Sequence, residues 1–590
     1  MSQSIFSSPR LQCIFLFLII LLASVLRITN LGKHAIFFDE KSTVLISQAV
    51  ALEGNNQKDV FYTEGKTTFT PKEFWKPKNI EDFYDAIRRG DIGNSPAYYG
   101  VLHLWIEAFG LSDFAIRLLS VFFSCGTIFL LFFFIKEHFK NVKLALAGSL
   151  LMAIEPFFIA YSQQARNYSM SFFFALLATH LFLKIVKKEN NSGSRILYIS
   201  YGIVAGICLL SHFLTATVFM AHGFYVLLFV RKWNTWLFLI LSLAIGLSAF
   251  TFWIKFGGGN YTFDTLSYQA KMYYKIAHSV PNPHAGTIDP ATPGIVLKKS
   301  LPIFSDLFIV SNGFSSYMTG KKNMILVIFS IMVSLVSLIQ YRKTSRNLWL
   351  GILLGWNLIA SFLYTTGTFQ YIELVNCVIL CYCFRIFWMN ETDPEQRRLL
   401  TFMAILAFFP TIFLILFTFK NGHTFGLTQR YSGFSFPYSI IFVALAIFET
   451  PKLGKPLQYI VWVLLLVQVF FVGKTIHSIH EDISPKYTYR DKARIRNPHY
   501  KIAMDIRKMY QTGDTVIYPS WTEGEYGAYD NYTKDIKKSF LDAQLVNLYL
   551  PKDAEFTQTV DAFNPNKVFL KKKDGQKIEL FDFKGTTYRY

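Results

Sequence analysis

The sequence predicts an all-α polytopic membrane protein with a small α/β domain at its C-terminal end, and three observations carry that prediction. Of 590 residues, 52% are hydrophobic and only 17% charged, against about 25% charged in ordinary soluble domains. The apolar residues are gathered in blocks of roughly 15 to 22 separated by short polar strings, which is the pattern of membrane-spanning helices. The character of the chain changes after Gly473: residues 474–590 hold 20 Lys or Arg against 16 Asp or Glu and no block long enough to span. A soluble enzyme is excluded. The formal charge of +20 (59 basic against 39 acidic residues) belongs to loops rather than to a nucleic-acid surface.

The first block, about Leu11 to Leu26, lacks a clean small-x-small end before Arg27 and is read as an uncleaved first span. A long polar stretch, 28–112, follows. Further blocks run Phe114 to Ile135, Leu144 to Tyr161, Tyr168 to Val186, Ile196 to Phe213, Ala216 to Val230 and Trp236 to Ile254. After a second polar loop come Met324 to Tyr341, Leu348 to Tyr364, Ile372 to Met389, Leu399 to Phe419, Phe434 to Phe448 and Leu457 to Val472. That makes thirteen expected spans.

Alternate connections carry the basic residues, among them Lys136, Lys140 and Lys143, then Lys184, Lys187 and Lys188, and later Arg397 and Arg398. Those loops are expected in the cytoplasm. The 28–112 loop, the turn at Gln163 to Asn167, the bend after His212, the loop from Lys255 to Asn323, the segment Lys420 to Gly433 and everything after Gly473 are then expected outside, with the N-terminus inside. Within 474–590 the pattern predicts a helix at His499 to Tyr510, a turn at Gly513 and Asp514, a strand at Thr515 to Tyr518, and apolar runs at Gln544 to Leu550, Lys567 to Leu570 and Lys577 to Phe583. The six cysteines all fall in apolar blocks, so no polar region holds a disulfide pair, and no spacing among them fits a structural metal site.

Several polar clusters collect at the expected outer ends of spans. Asp39 and Glu40 stand in Phe37-Phe38-Asp39-Glu40-Lys41. They read either as a general base backed by aromatic groups or as acidic residues in the first turn of a helix, favoured by its dipole. Tyr99 and His103, four apart in Pro96-x-Tyr98-Tyr99-x3-His103-x-Trp105, share a helix face. Arg117, just inside the second span, requires an anionic partner: a pair with Asp113 or a bound phosphate. Arg166 and Tyr168 in Ser162-Gln163-Gln164-Ala165-Arg166-x-Tyr168-Ser169, His212 in Ser211-His212-Phe213, and Arg430 with Tyr431 ahead of Pro437 lie on the same side. Converging arginines suit a lipid-linked phosphate, because the guanidinium fork matches phosphate oxygens.

As an ordered set over about Leu11 to Phe448, these motifs resemble the C-type glycosyltransferase superfamily, and more closely the bacterial relatives of protein O-mannosyltransferases and of lipid A aminoarabinose transferases. The resemblance implies many transmembrane helices, juxtamembrane helices in the first loop and, for the aminoarabinose transferases, thirteen spans plus an extracytoplasmic C-terminal domain. It also implies an inverting transfer of a sugar from a polyprenyl-phosphate donor to a protein, lipid A or other cell-envelope glycan. Asp39 takes the catalytic place, with Glu40 beside it. Arg117, Arg166 and Arg430 line the donor phosphate and sugar pocket, with Tyr168, His212, Tyr431, His103 and Tyr99 also in the donor-binding set. Where relatives often carry an acidic residue, Gln164 and Asn167 are amides, which leaves no metal or second carboxylate indicated in that turn.

The rival readings are a transporter or flippase, for which Glu155 before Pro156 is the residue to watch, and a polymerase or ligase of whole glycans. In the C-terminal domain, Trp521, Tyr526, Tyr529 and Tyr532 are read as core or as sugar-stacking aromatics. Lys571 to Lys573 is read as a solvated turn or a patch for anionic head groups.

Overall fold

The computed structural model describes residues 8–51, 68–90, 95–187, 195–316, 318, 320–365, 367–484, 486–488, 492–519, 541–561 and 563–586. Helix α1 (Pro9–Ile28) opens on a proline, whose missing N–H costs nothing in a first turn. The long first loop folds into α2 (Phe38–Ser47), α3 (Pro71–Phe74), α4 (Ile80–Gly90) and α5 (Pro96–Phe109). Then come α6 (Asp113–His138), α7 (Val142–Ala153), α8 (Pro156–Ser162), α9 (Tyr168–Lys187), α10 (Arg195–Ser211), α11 (Ala216–Phe229) and α12 (Trp233–Phe256). The second loop contributes α13 (Gly259–Ala277) and α14 (Pro293–Asp306). After it follow α15 (Lys321–Thr344), α16 (Asn347–Leu363), α17 (Thr368–Asn390), α18 (Pro394–Asn421), α19 (Phe436–Glu449) and α20 (Lys455–His480).

Every one of the thirteen apolar blocks falls on helix. Among the described residues, nine helices are long and apolar enough to cross a membrane, or ten if the pair α7 and α8, bent by 57°, makes one span; α10, α16 and the helix from Phe213 to Phe229 are shorter apolar helices. The break at Glu155 is stitched by Arg27 of α1, which donates to the carbonyls of Met152 and Ala153 at 3.2 and 2.9 Å. A cation there complements the C-terminal end of α7. Small residues let α10 and α12 approach closely: a Cβ on Gly202 of α10 would lie 2.4 Å from the Ser242 carbonyl of α12, and one on Gly246 would lie 2.8 Å from the Gly206 nitrogen. Such stripes let backbones approach where lipid supplies no hydrophobic drive.

The last span runs on to His480, so residues 474–480 belong to its helix rather than to the polar domain. Beyond it, α21 (Pro498–Met509), β1 (Thr515–Pro519), α22 (Leu541–Asn547), β2 (Gln558–Asp561), β3 (Lys567–Lys571) and β4 (Lys577–Asp582) build a four-stranded sheet in the order β2-β1-β3-β4. The β1–β2 pair is parallel; the others are antiparallel. Gln544 to Leu550, read as an apolar run, forms the short helix α22 and its exit. Trp521, Tyr526, Tyr529 and Tyr532 lie outside the described residues. Lys572 is not a free patch, since its ammonium bonds Asp514 at 2.8 Å and the Met509 carbonyl at 2.7 Å.

The C-terminal residues pack directly on the first loop. Val44 and Ile46 of α2, Tyr98 and Leu102 of α5, and Ile116 of α6 share one core with Ile502, Val516, Leu545 and Leu570. Backbone pairing reinforces it: Phe69 bridges Gln558 in both directions, and the Trp75 indole donates to the Asn547 carbonyl at 2.8 Å. A four-stranded sheet with few covering helices buries little apolar surface alone, and here the first loop supplies the missing layer.

Candidate active site

The site is organised by α2. Phe37 caps this helix in extended geometry, and the Glu40 carboxylate reaches back to the Phe37 amide at 3.1 Å. This capping turn puts Asp39 and Glu40 on different faces, and their fates diverge. Glu40 is wholly buried and points into α6, where Arg117 meets it with Nε on Oε1 at 2.8 Å and Nη2 on Oε2 at 2.9 Å. The Ala165 amide donates to the same carboxylate at 2.8 Å. Burial by itself raises the Glu40 carboxyl, but the charge and hydrogen bonds of Arg117, the charge of Arg494 and the Ala165 amide outweigh it and hold the group below the ordinary carboxylate range.

Arg117 is saturated. Its remaining N–H groups go to the carbonyls of Leu31 and His34, both at 2.8 Å, and of Ala35 at 3.2 Å. With all five donors held by protein, it offers a phosphate nothing. Its partner is Glu40, 77 residues away, rather than Asp113, which instead accepts from Asn497 at 2.7 Å and pairs with the Tyr549 hydroxyl at 3.2 Å. Both side chains are buried and bond each other.

Asp39 faces the other way and stays a third exposed, with Arg430 Nη1 at 3.7 Å from its Oδ2. Arg166 approaches along the same edge, bonding the Asp39 carbonyl at 3.2 Å and the Thr43 hydroxyl at 2.6 Å. Arg430 lies over the Tyr431 ring, 4.8 Å from its centroid. The His212 ring contacts Tyr431 at 5.9 Å and Tyr168 at 5.8 Å between centroids. Arg430 and Tyr431 ride on a 3₁₀ stretch, Gln429–Ser435, which crosses Phe157 and Phe172 at Gly433. A Cβ at Gly433 would stand 2.1 Å from Phe172, so the close approach that delivers Arg430 requires glycine.

The structure thus brings together Asp39, Arg166, Tyr168, His212, Arg430 and Tyr431. Tyr99 is buried on α5, while His103 on the same helix is exposed. Asn167 ties Ser95 to the end of α10, donating to the Ser95 hydroxyl at 2.7 Å and the Ser211 carbonyl at 2.5 Å. Among the described residues, no group of three or more His, Cys, Asp or Glu side chains is gathered to hold a metal. Sequence reading missed the second tier: Asp306 accepts from Gln429, the neighbour of Arg430, at 3.1 Å and pairs with Lys486, and Arg494 stands 3.7 Å from Glu40. No local motif marks these residues.

Residues 94–254 match the family described as dolichyl-phosphate-mannose-protein mannosyltransferase. This match bears out the C-type glycosyltransferase resemblance; it includes Arg117, Arg166, Tyr168 and His212 but not Asp39 or Arg430. No curated protein sequence matches. Among solved structures, the oligosaccharyltransferase of Archaeoglobus fulgidus in the apo form is similar at 13% identity and a TM-score of 0.45, over 87% of this chain and 59% of that one. ArnT from Cupriavidus metallidurans in the apo state is similar at 13% identity and a TM-score of 0.38, over 86% of this chain and 82% of that one. The same protein bound to undecaprenyl phosphate gives 13% identity and 0.33 over 75% and 79%. The chain spans about three fifths of the oligosaccharyltransferase's length.

Proposed function

We propose that this protein is an integral membrane glycosyltransferase that moves a sugar, with inversion, from a polyprenyl-phosphate donor to an acceptor on the outer side of the membrane. The observation that carries the reading is the pairing of a part-exposed carboxylate, Asp39, with Arg430, Arg166 alongside, at one end of a bundle of apolar helices. The family match over 94–254 supports it. In the reaction, the acceptor's O–H or N–H proton passes to the Asp39 carboxylate as the heteroatom attacks the anomeric carbon. The bond from that carbon to the phosphate oxygen breaks, and the polyprenyl phosphate leaves with its electron pair. Arg430 and Arg166 stabilise the charge that develops there, and a phosphate needs no proton to leave. Glu40 and Arg117 act as positioning residues that hold α2.

The test is purified Asp39→Asn protein in lipid, assayed for transfer from the cell's own lipid-linked sugars. Loss of a positioned base predicts a fall of about 10²–10⁴-fold; transfer at the native rate overturns the assignment. One observation favours a carrier instead. Glu155 is fully buried at the α7–α8 break, and one of its oxygens has no hydrogen-bond partner among the described residues. Glycan profiles unchanged on loss of the protein, with a small solute accumulating, decide for that reading.

A further inference from the structure

We infer that the described residues between the last span and the C-terminal domain, 481–484, 486–488 and 492–497, act as a positioning strap: Arg494 and Lys486, one step behind Asp39 and Arg430, set where these two residues stand relative to each other. The inference rests on the roles given to Asp39 and Arg430 above.

At one end of the strap, Arg494 closes a fork on Asp482, with Nε to Oδ2 at 2.8 Å and Nη2 to Oδ1 at 2.9 Å, and its own amide also reaches Oδ2 at 2.9 Å. Its remaining face turns to α2, with Nη1 3.7 Å from Glu40 Oε2 and the guanidinium 5.7 Å from the centre of the Phe37 ring. The strap backbone pairs with the turn before that helix: the Ala35 amide donates to the Ile495 carbonyl at 2.9 Å, and the His34 ring meets the Arg494 carbonyl at 3.2 Å. The run from His34 to Glu40, which aims Asp39, is therefore held by α6 through Arg117 on one side and by the strap on the other.

Between Asp482 and Arg494 in sequence, Lys486 pairs with the fully buried Asp306 and reaches the Asn312 side-chain oxygen at 3.3 Å. Its neighbour Tyr487 takes a hydrogen bond from the Asn312 amide at 2.9 Å. Asp306 in turn holds Gln429, and so the start of the turn that carries Arg430. The strap thus makes two charged, largely buried contacts, and each lies against the residue adjacent in sequence to a reacting group. Buried ion pairs contribute little net stability, because desolvation offsets attraction; what they do well is fix a geometry. Reacting groups must be held to about half an ångström, and a misplacement of about 1 Å costs around 10²-fold in rate.

The test uses the full chain in lipid nanodiscs with four variants, Arg494→Ala, Arg494→Lys, Lys486→Met and Lys486→Arg. Amide exchange is read at 38–47 and at 429–435, and binding with undecaprenyl phosphate as the probe. The strap predicts a split: Arg494→Ala speeds exchange at 38–47 with little change at 429–435, and Lys486→Met does the reverse. Undecaprenyl phosphate affinity should fall about tenfold in Lys486→Met, which frees the Arg430 turn, and stay within about twofold in Arg494→Ala, since a tenfold change is already a large loss of positioned contact. The charge-keeping variants should recover part of each effect, and they keep the test open if a truncated side chain prevents folding. Exchange unchanged in both segments, or raised equally in both by either variant, overturns the strap. If the split appears while the native protein binds no undecaprenyl phosphate, the strap stands and the donor reading falls.

Discussion

Replacing Arg117 by lysine separates a clamp from a phosphate ligand. The guanidinium gives five hydrogen bonds to four residues: two to Glu40 and one each to the carbonyls of Leu31, His34 and Ala35. An ammonium has three donors on a point charge and cannot reproduce the fork, so at least two of the five hydrogen bonds are lost. Each costs about 1–3 kcal/mol, which places the penalty at about 2–6 kcal/mol for the junction of α2 with α6. The lower bound corresponds to a roughly 30-fold faster opening. Amide exchange of 38–47 in nanodiscs reads it directly, beside undecaprenyl phosphate affinity measured on the same sample. The expectation is loss of protection in Arg117→Lys with affinity held within about twofold, whereas Arg430→Ala should lose about tenfold in affinity with protection intact. Native protection in Arg117→Lys refutes the clamp; a loss of affinity equal to that of Arg430→Ala, with protection unchanged, restores Arg117 to the phosphate.

Further outcomes follow from the same geometry. Glu40 titrates lower in the folded protein than its unfolded value of about 4.3. The native state therefore binds fewer protons than the unfolded state, and the stabilisation, complete above that value, is lost as pH falls through the folded one. Protection at 38–47, taken against the intrinsic exchange rate at each pH, should fall below about pH 4 in the native protein and change little with pH in Glu40→Gln; equal slopes would count against the pair. Gly433→Ala should push the Arg430 turn off Phe172 and lower transfer in membranes by about 10²-fold, and a native rate would show that the turn has slack. Gly202→Leu forces α10 from α12 at a cost of about 1–3 kcal/mol, visible as a lower thermal midpoint in nanodiscs; an unchanged midpoint would mean that the pair repacks freely.

By itself the sequence determined the elements whose signal is local. Thirteen apolar blocks became helix because an apolar run of this length forms one wherever it meets lipid, and the strands at Thr515, Lys567 and Lys577 were legible from their apolar runs and bounding turns. The converging set of Asp39, Arg166, Tyr168, His212, Arg430 and Tyr431 was legible as an ordered list of motifs. Tertiary structure alone decided what each charge does. Asp39 and Glu40 are adjacent and chemically alike, yet one stays part-exposed beside Arg430 and the other is buried against Arg117. The helix turn sends consecutive side chains about 100° apart, and only the packing of α2 on α6 says which of the two directions is the interior. Arg117 found Glu40 rather than the nearer Asp113 for the same reason. Lys486 and Arg494 carry no pattern at all, because a contact closed across hundreds of residues leaves no period in the chain; it exists only once the last span has returned the C-terminal segment to the first loop.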